Sequence, residues 1–129
     1  FLGANADRLS VVYCPRTHAF FRHEPYPLAR ALALGVNVAL GTDSRTSNPD
    51  LSILAEMRHV ARHFSDVSLA EILQLGTLNG ARALGFEKLL GTITPGKRAI
   101  LIAVELPIIE ADPHELLFGS DAPIANVWR

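Results

Sequence analysis

Apolar and polar positions alternate in blocks along the chain, and the period of each block predicts its element. "RLSVVYC" (Arg8 to Cys14) is a short β-rich run that Pro15 stops. "PRTHAFFRHEPYP" then holds three prolines and two histidines and reads as irregular. "LARALALG" (Leu28 to Gly35) reads as a short helix with a glycine at its C-terminal end. "VNVALG" follows, almost continuously apolar, as a parallel strand covered on both faces should be. Strand, crossover helix and strand in this order predict one βαβ unit.

Farther along, Ile53, Met57, Val60, Ala61 and Phe64 fall on one stripe of a helix spanning about residues 50 to 64. Ser68 and Glu71 have the spacing of a capping box at the start of a second helix. Gly76 separates it from a third, Leu78 to Leu84, which Gly85 terminates. Beyond Glu87 the character changes. "LGTITPGKRAILIAVEL" places a Pro-Gly turn between two β-rich runs, which predicts a hairpin. "DPHELLFGSDAPIANVWR" adds a helical turn and a last strand. The division expected is an α/β part over residues 1–86 and a β-rich part over 87–129.

Composition narrows the function classes. With 129 residues, 49% hydrophobic content and a net charge of −1, the chain can bury a core and presents no basic face for nucleic acid. No apolar run reaches the length of a membrane span, and "FLGANADRLS" lacks the pattern of a signal peptide. The first residue is Phe rather than Met, so a longer natural chain is expected. A single cysteine, Cys14, cannot form an internal disulfide, which favours a cytoplasmic protein.

Asp43 is the leading candidate for chemistry. It follows directly on the carboxyl end of the "VNVALG" strand, and α/β folds place their sites at that end. A carboxylate there can bind a divalent metal or accept a proton from an activated water. It can equally cap its own loop by accepting backbone N–H groups. Residue type and position leave both readings open. His59 and His63 have an i, i+4 spacing that can hold zinc, yet "HVARH" lacks the glutamate of His-Glu-x-x-His, and a packed or solvated helix edge is the better reading. His23 in its loop is a weaker pocket candidate, and His114 after Asp112-Pro113 fits the first turn of a helix.

"CPRTH" (14–18), "PLARALALGVNVALGTDSRTSNPDLSILAEMR" (27–58), "LGTLNGARALGF" (75–86) and "LGTITPGKRA" (90–99) occur in one order over nearly the whole chain. Together they resemble the C-terminal part of an amidohydrolase-superfamily enzyme of the deaminase and chlorohydrolase branch. That resemblance implies the end of a (β/α)8 barrel, with residues 8–14 as strand seven and 36–41 as strand eight, plus part of a small β-sandwich. It implies one divalent metal, zinc or else iron, with most ligands outside this chain. Asp43, inside "LGTDS", matches the aspartate that contacts the metal and serves as general base. Thr17 and His18 in the loop after strand seven, and Ser44 beside Asp43, become substrate-binding candidates. Relatives often carry Asn where this chain has His18, and Ala-Asp where it has Ala99-Ile100. The activity implied is hydrolysis of a C–N or C–Cl bond in a purine-like heterocycle through metal-bound hydroxide.

The partners implied are a small-molecule substrate, the remainder of the barrel and a second copy in a homodimer. A complete barrel needs roughly 250 residues, and a lone carboxylate cannot hold zinc. The segment by itself is therefore expected to be inactive. The alternative is a non-catalytic α/β module serving structure or assembly.

Overall fold

The computed structural model describes residues 1–128. A 3-10 turn at Gly3–Asn5 leads into strand β1 (Ser10–Tyr13), helices α1 (Pro15–Phe20) and α2 (Leu28–Ala33), and strand β2 (Asn37–Leu40). Helices α3 (Ile53–His63), α4 (Leu69–Leu75) and α5 (Leu78–Ala83) follow. Strand β3 (Leu101–Val104), helix α6 (Pro113–Gly119) and strand β4 (Ile124–Trp128) complete the chain.

β1 and β2 pair in parallel, from Ser10 opposite Asn37 to Tyr13 opposite Leu40. The βαβ unit expected from periodicity is present. Val38, Ala39 and Leu40 are all buried, so the continuous apolar run does mark a strand covered on both faces. Gly41 N–H donates to Tyr13 O at 2.9 Å, which fixes which residues face β1. By the two-residue period, Val38 and Leu40 turn their backbone groups to the opposite edge. There Asn79 of α5 donates from Nδ2 to Val38 O at 2.9 Å, and Asn37 Nδ2 returns a bond to Asn79 O at 3.1 Å. The "TLNGARALG" stretch thus supplies a side chain that covers an open strand edge.

The core lies between this pair and the helices. Leu28 of α2, Val60 of α3, and Ile72 and Leu75 of α4 are almost wholly buried around Val38. Each such side chain contributes about 1.5–3 kcal/mol by leaving water. The capping box at Ser68 and Glu71 forms as its spacing predicts, with bonds in both directions. Gly76 ends α4 where a Cβ would meet Met57 Sδ at 2.5 Å, so α3 and α4 approach closely only because that side chain is absent. Phe118 of α6 joins the same core, although it lies well beyond Glu87.

Two expectations differ from the structure. Pro15–Phe20 is a helix rather than an irregular loop. Pro15 occupies its first turn, where its fixed φ suits the helix and its missing N–H costs nothing. The Pro-Gly turn does form, with Lys97 N–H donating to Thr94 O at 3.1 Å and Gly96 at φ +90°. However, residues 90–94 are not a strand. Lys97 Nζ instead donates to Glu87 O at 2.5 Å and Leu90 O at 3.1 Å, tying that segment into a loop. The partner of β3 is the distant β4, antiparallel and with a register irregularity at Ala103/Val104. No helix is long and apolar enough to cross a membrane among the described residues.

Candidate active site at the carboxyl ends of the parallel strands

Both parallel strands end on the same side of the molecule, and the chain leaves each into a polar segment. After β2 it runs through Gly41, Thr42 and Asp43. Asp43 has φ +56°, a left-handed conformation that aspartate tolerates better than most side chains. Its carboxylate is exposed and makes no hydrogen bond or ion pair among the described residues. An aspartate that capped its own loop would be spent on backbone N–H groups, and this one is not. The Cys14 thiol at the end of β1 lies close by; burial pushes its pKa up, and the Asp43 charge pushes it further.

The carbonyl of Thr42, in the peptide that leads into Asp43, accepts two hydrogen bonds. Thr17 Oγ1 donates from α1 at 3.2 Å, and Asn48 Nδ2 donates from the loop at 2.9 Å. Thr17 is buried, and its hydroxyl also contacts Ser47 Oγ at 3.0 Å. The other Asn48 amide proton goes to Glu56 Oε1 at 2.6 Å. Glu56, in the first turn of α3, is 0% exposed. Its Oε2 accepts the backbone N–H of Arg16 at 3.0 Å, one of the first-turn amides that α1 cannot satisfy internally. The Arg16 guanidinium adds a charge contact to Glu56 Oε1 at 3.7 Å. It grips both oxygens of Asp50 at 2.8 and 3.1 Å. That bidentate bond, helped by Ser52 N–H, holds the Asp50 carboxyl below its ordinary pKa.

Periodicity assigns Glu56 to neither face, because a charged residue beside an apolar stripe is normally read as solvated. Its neighbours Leu54 and Met57, both buried, were the available signal. Arg16 inside "CPRTH" and Asn48 inside "TSNPD" gave none as single residues.

Thr17, His18, Asp43 and Ser44 all fall at these strand ends. His18 is half-buried and packs edge-on against Tyr13 with ring centroids 5.6 Å apart, and the His23 ring lies tilted to it at 5.0 Å. Burial, followed by the Glu56 charge, raises the Tyr13 phenol to about 12, so Tyr13 stays neutral beside His18. Ser44 is exposed and its Oγ accepts Thr46 N–H at 3.3 Å. His59 and His63 stack at 4.1 Å along α3. Burial, then the charges of His63, Arg16 and Arg62, lowers the His59 pKa to about 4. Among the described residues, no three His, Cys, Asp or Glu side chains converge as a metal site.

The amidohydrolase family model matches residues 1–129, the whole chain. The chain belongs to the amidohydrolase family. Its relatives place it in the deaminase branch. A 5-methylthioadenosine/S-adenosylhomocysteine deaminase of Moorella thermoacetica is 39% identical over 106 residues, covering 77% of this chain and 25% of that protein. The enzyme of the same description from Teredinibacter turnerae is 34% identical over 131 residues, covering 92% and 30%. Among solved structures, an adenosine deaminase from Xanthomonas campestris with bound zinc superposes with a TM-score of 0.80 at 33% identity. That match covers 92% of this chain and 30% of the other. The chain therefore spans a quarter to a third of the length of these amidohydrolases.

Proposed function

We propose that this chain is the C-terminal segment of a longer metal-dependent amidohydrolase that deaminates a purine-like heterocycle, adenosine-type compounds being the first to assay. In this reading β1 and β2 are strands seven and eight of a (β/α)8 barrel. Residues 87–129 form part of the small β-sandwich beside it, with α6 returning to the barrel part. The observation that carries the reading is the unspent Asp43 carboxylate, exposed at the carboxyl end of a parallel strand in a chain whose relatives are deaminases.

The residues that would complete a zinc site lie outside this chain, and Asp43 would contribute one donor oxygen. A metal in that site lowers the pKa of water. Asp43 is then placed to accept a proton and return it to the departing amine. His18 and Ser44 face substrate in this reading, whereas Thr17 acts through the Thr42 carbonyl that it holds.

Two measurements test the proposal. In the whole protein, Asp43→Asn should lower kcat for ammonia release from an adenosine-type substrate by about 10³-fold while leaving the unfolding transition in place. Retained turnover would remove Asp43 from the chemistry. The isolated chain should show no turnover and no stoichiometric zinc after dialysis; a full equivalent of tightly held metal would sink the view that its ligands lie elsewhere.

A further inference from the structure

We propose that Glu56 and Asn48 are positioning residues that set the backbone of Asp43 through one carbonyl, Thr42 O. The inference rests on the functional reading above and adds how the carboxylate is aimed. Thr42 O and the Asp43 N–H belong to one peptide plane, so whatever orients that carbonyl also sets the rotation at which Asp43 begins. Two donors from separate elements converge on it, Thr17 Oγ1 and Asn48 Nδ2. Neither donor is free to turn away. Asn48 is 2% exposed, and its second amide proton is held at 2.6 Å by Glu56. Glu56 is held in turn by the Arg16 backbone N–H at 3.0 Å. The chain of bonds runs from α1 through α3 to the loop and ends one bond short of Asp43.

The chemistry of the link is specific. Both Glu56 oxygens accept, one from Asn48 and one from Arg16 N–H. A glutamine there presents one oxygen and one NH₂ group, so in either flip a donor opposes a donor. Asn48 must donate twice, which neither aspartate nor alanine can do. A residue serving only to fill the interior would not need this pattern. Asp43, at φ +56°, has no hydrogen bond or ion pair on its carboxylate among the described residues, and its backbone is otherwise met only by the Thr42 hydroxyl, a long 3.4 Å bond to its carbonyl, and by the Cys14 thiol.

The test compares Asn48→Ala, Glu56→Gln and Thr17→Val in the whole protein, with Thr17→Ser as the conservative control. Each of the first three should lower kcat on the order of 10²-fold with KM changed far less, because a shift of about 1 Å in a catalytic group has that cost. Thr17→Ser keeps the hydroxyl and should recover the rate lost in Thr17→Val. Because Glu56 acts through Asn48, the Asn48→Ala/Glu56→Gln double variant should be no slower than Asn48→Ala alone. In metal-free protein, amide exchange over residues 41–50 should accelerate at least about tenfold in Asn48→Ala, with α4 and α5 unchanged.

Should Glu56→Gln fail to fold, Asn48→Ala and Thr17→Val carry the same comparison. Unchanged kcat per folded molecule, strictly additive losses, or unchanged exchange over 41–50 would overturn the proposal. Should Asp43→Asn prove active, the functional reading falls. The exchange measurement would still report whether the two donors hold the loop.

Discussion

The two small sheets of this chain are built in opposite ways. β1 and β2 are parallel and joined across α1 and α2, and β2 is buried along Val38, Ala39 and Leu40. Its second edge is met by Asn79 from the same chain. β3 and β4 are antiparallel, and every described residue of β4 from Ile124 to Trp128 is exposed. Ile102, Val127 and Trp128 are each about half exposed on this second sheet. In the first sheet β2 is covered by what the chain itself supplies, while Val12 of β1 is 61% exposed; in the second sheet all of β4 is left open. Parallel strands are usually covered on both faces, as β2 is, whereas an antiparallel pair commonly leaves one face to solvent. The candidate site sits at the end of the buried strand β2, where its geometry depends on bonds within this chain.

Phe118 joins the two regions, and removing it should have the largest effect on stability. It is 2% exposed and, among the described residues, the one fully buried side chain after residue 87. Phe118→Ala leaves a cavity between α3, α4 and α6 and should destabilise the chain by about 3–5 kcal/mol in urea unfolding. A loss below about 1 kcal/mol would mean that the C-terminal segment is not anchored in the first core.

The sequence made the first region legible and the second much less so. The β1–β2 unit, the α3 stripe and the capping box at Ser68 are local patterns, each contained within one element or two neighbouring ones. The pairing of β3 with β4 is not local, since Val104 meets Ile124 across α6, and a Pro-Gly turn offered a nearer but wrong partner. Helix α1 is hidden in the sequence because proline is ordinarily a helix breaker, and only position distinguishes a first-turn proline from an interior one. Asp43 was legible as a carboxylate after a strand. Its left-handed backbone and the Glu56–Asn48 link were not, because both depend on which groups meet across α1, α3 and the loop.

Two arginines one helical turn apart on α3 sharpen the contrast between regions. Both reach the C-terminal segment. Arg58 is 9% exposed and donates from Nε to Leu117 O at 3.0 Å and from Nη2 to Ala122 O at 2.8 Å. Burial lowers its pKa, though an arginine stays charged across the ordinary range. Arg58→Met keeps the packing volume but leaves two carbonyls without their donor, so it should cost about 2 kcal/mol. Arg62 makes an equally short contact, an ion pair with Asp121 at 2.8 Å. Yet both partners are more than half exposed, and water and salt screen them. Arg62→Ala should therefore change stability by no more than about 0.5 kcal/mol, and added salt should erase even that. Equal losses at the two positions would mean that charge alone ties the C-terminal segment to α3. A large difference would mean that the tie is the desolvated fork of Arg58 on two backbone carbonyls.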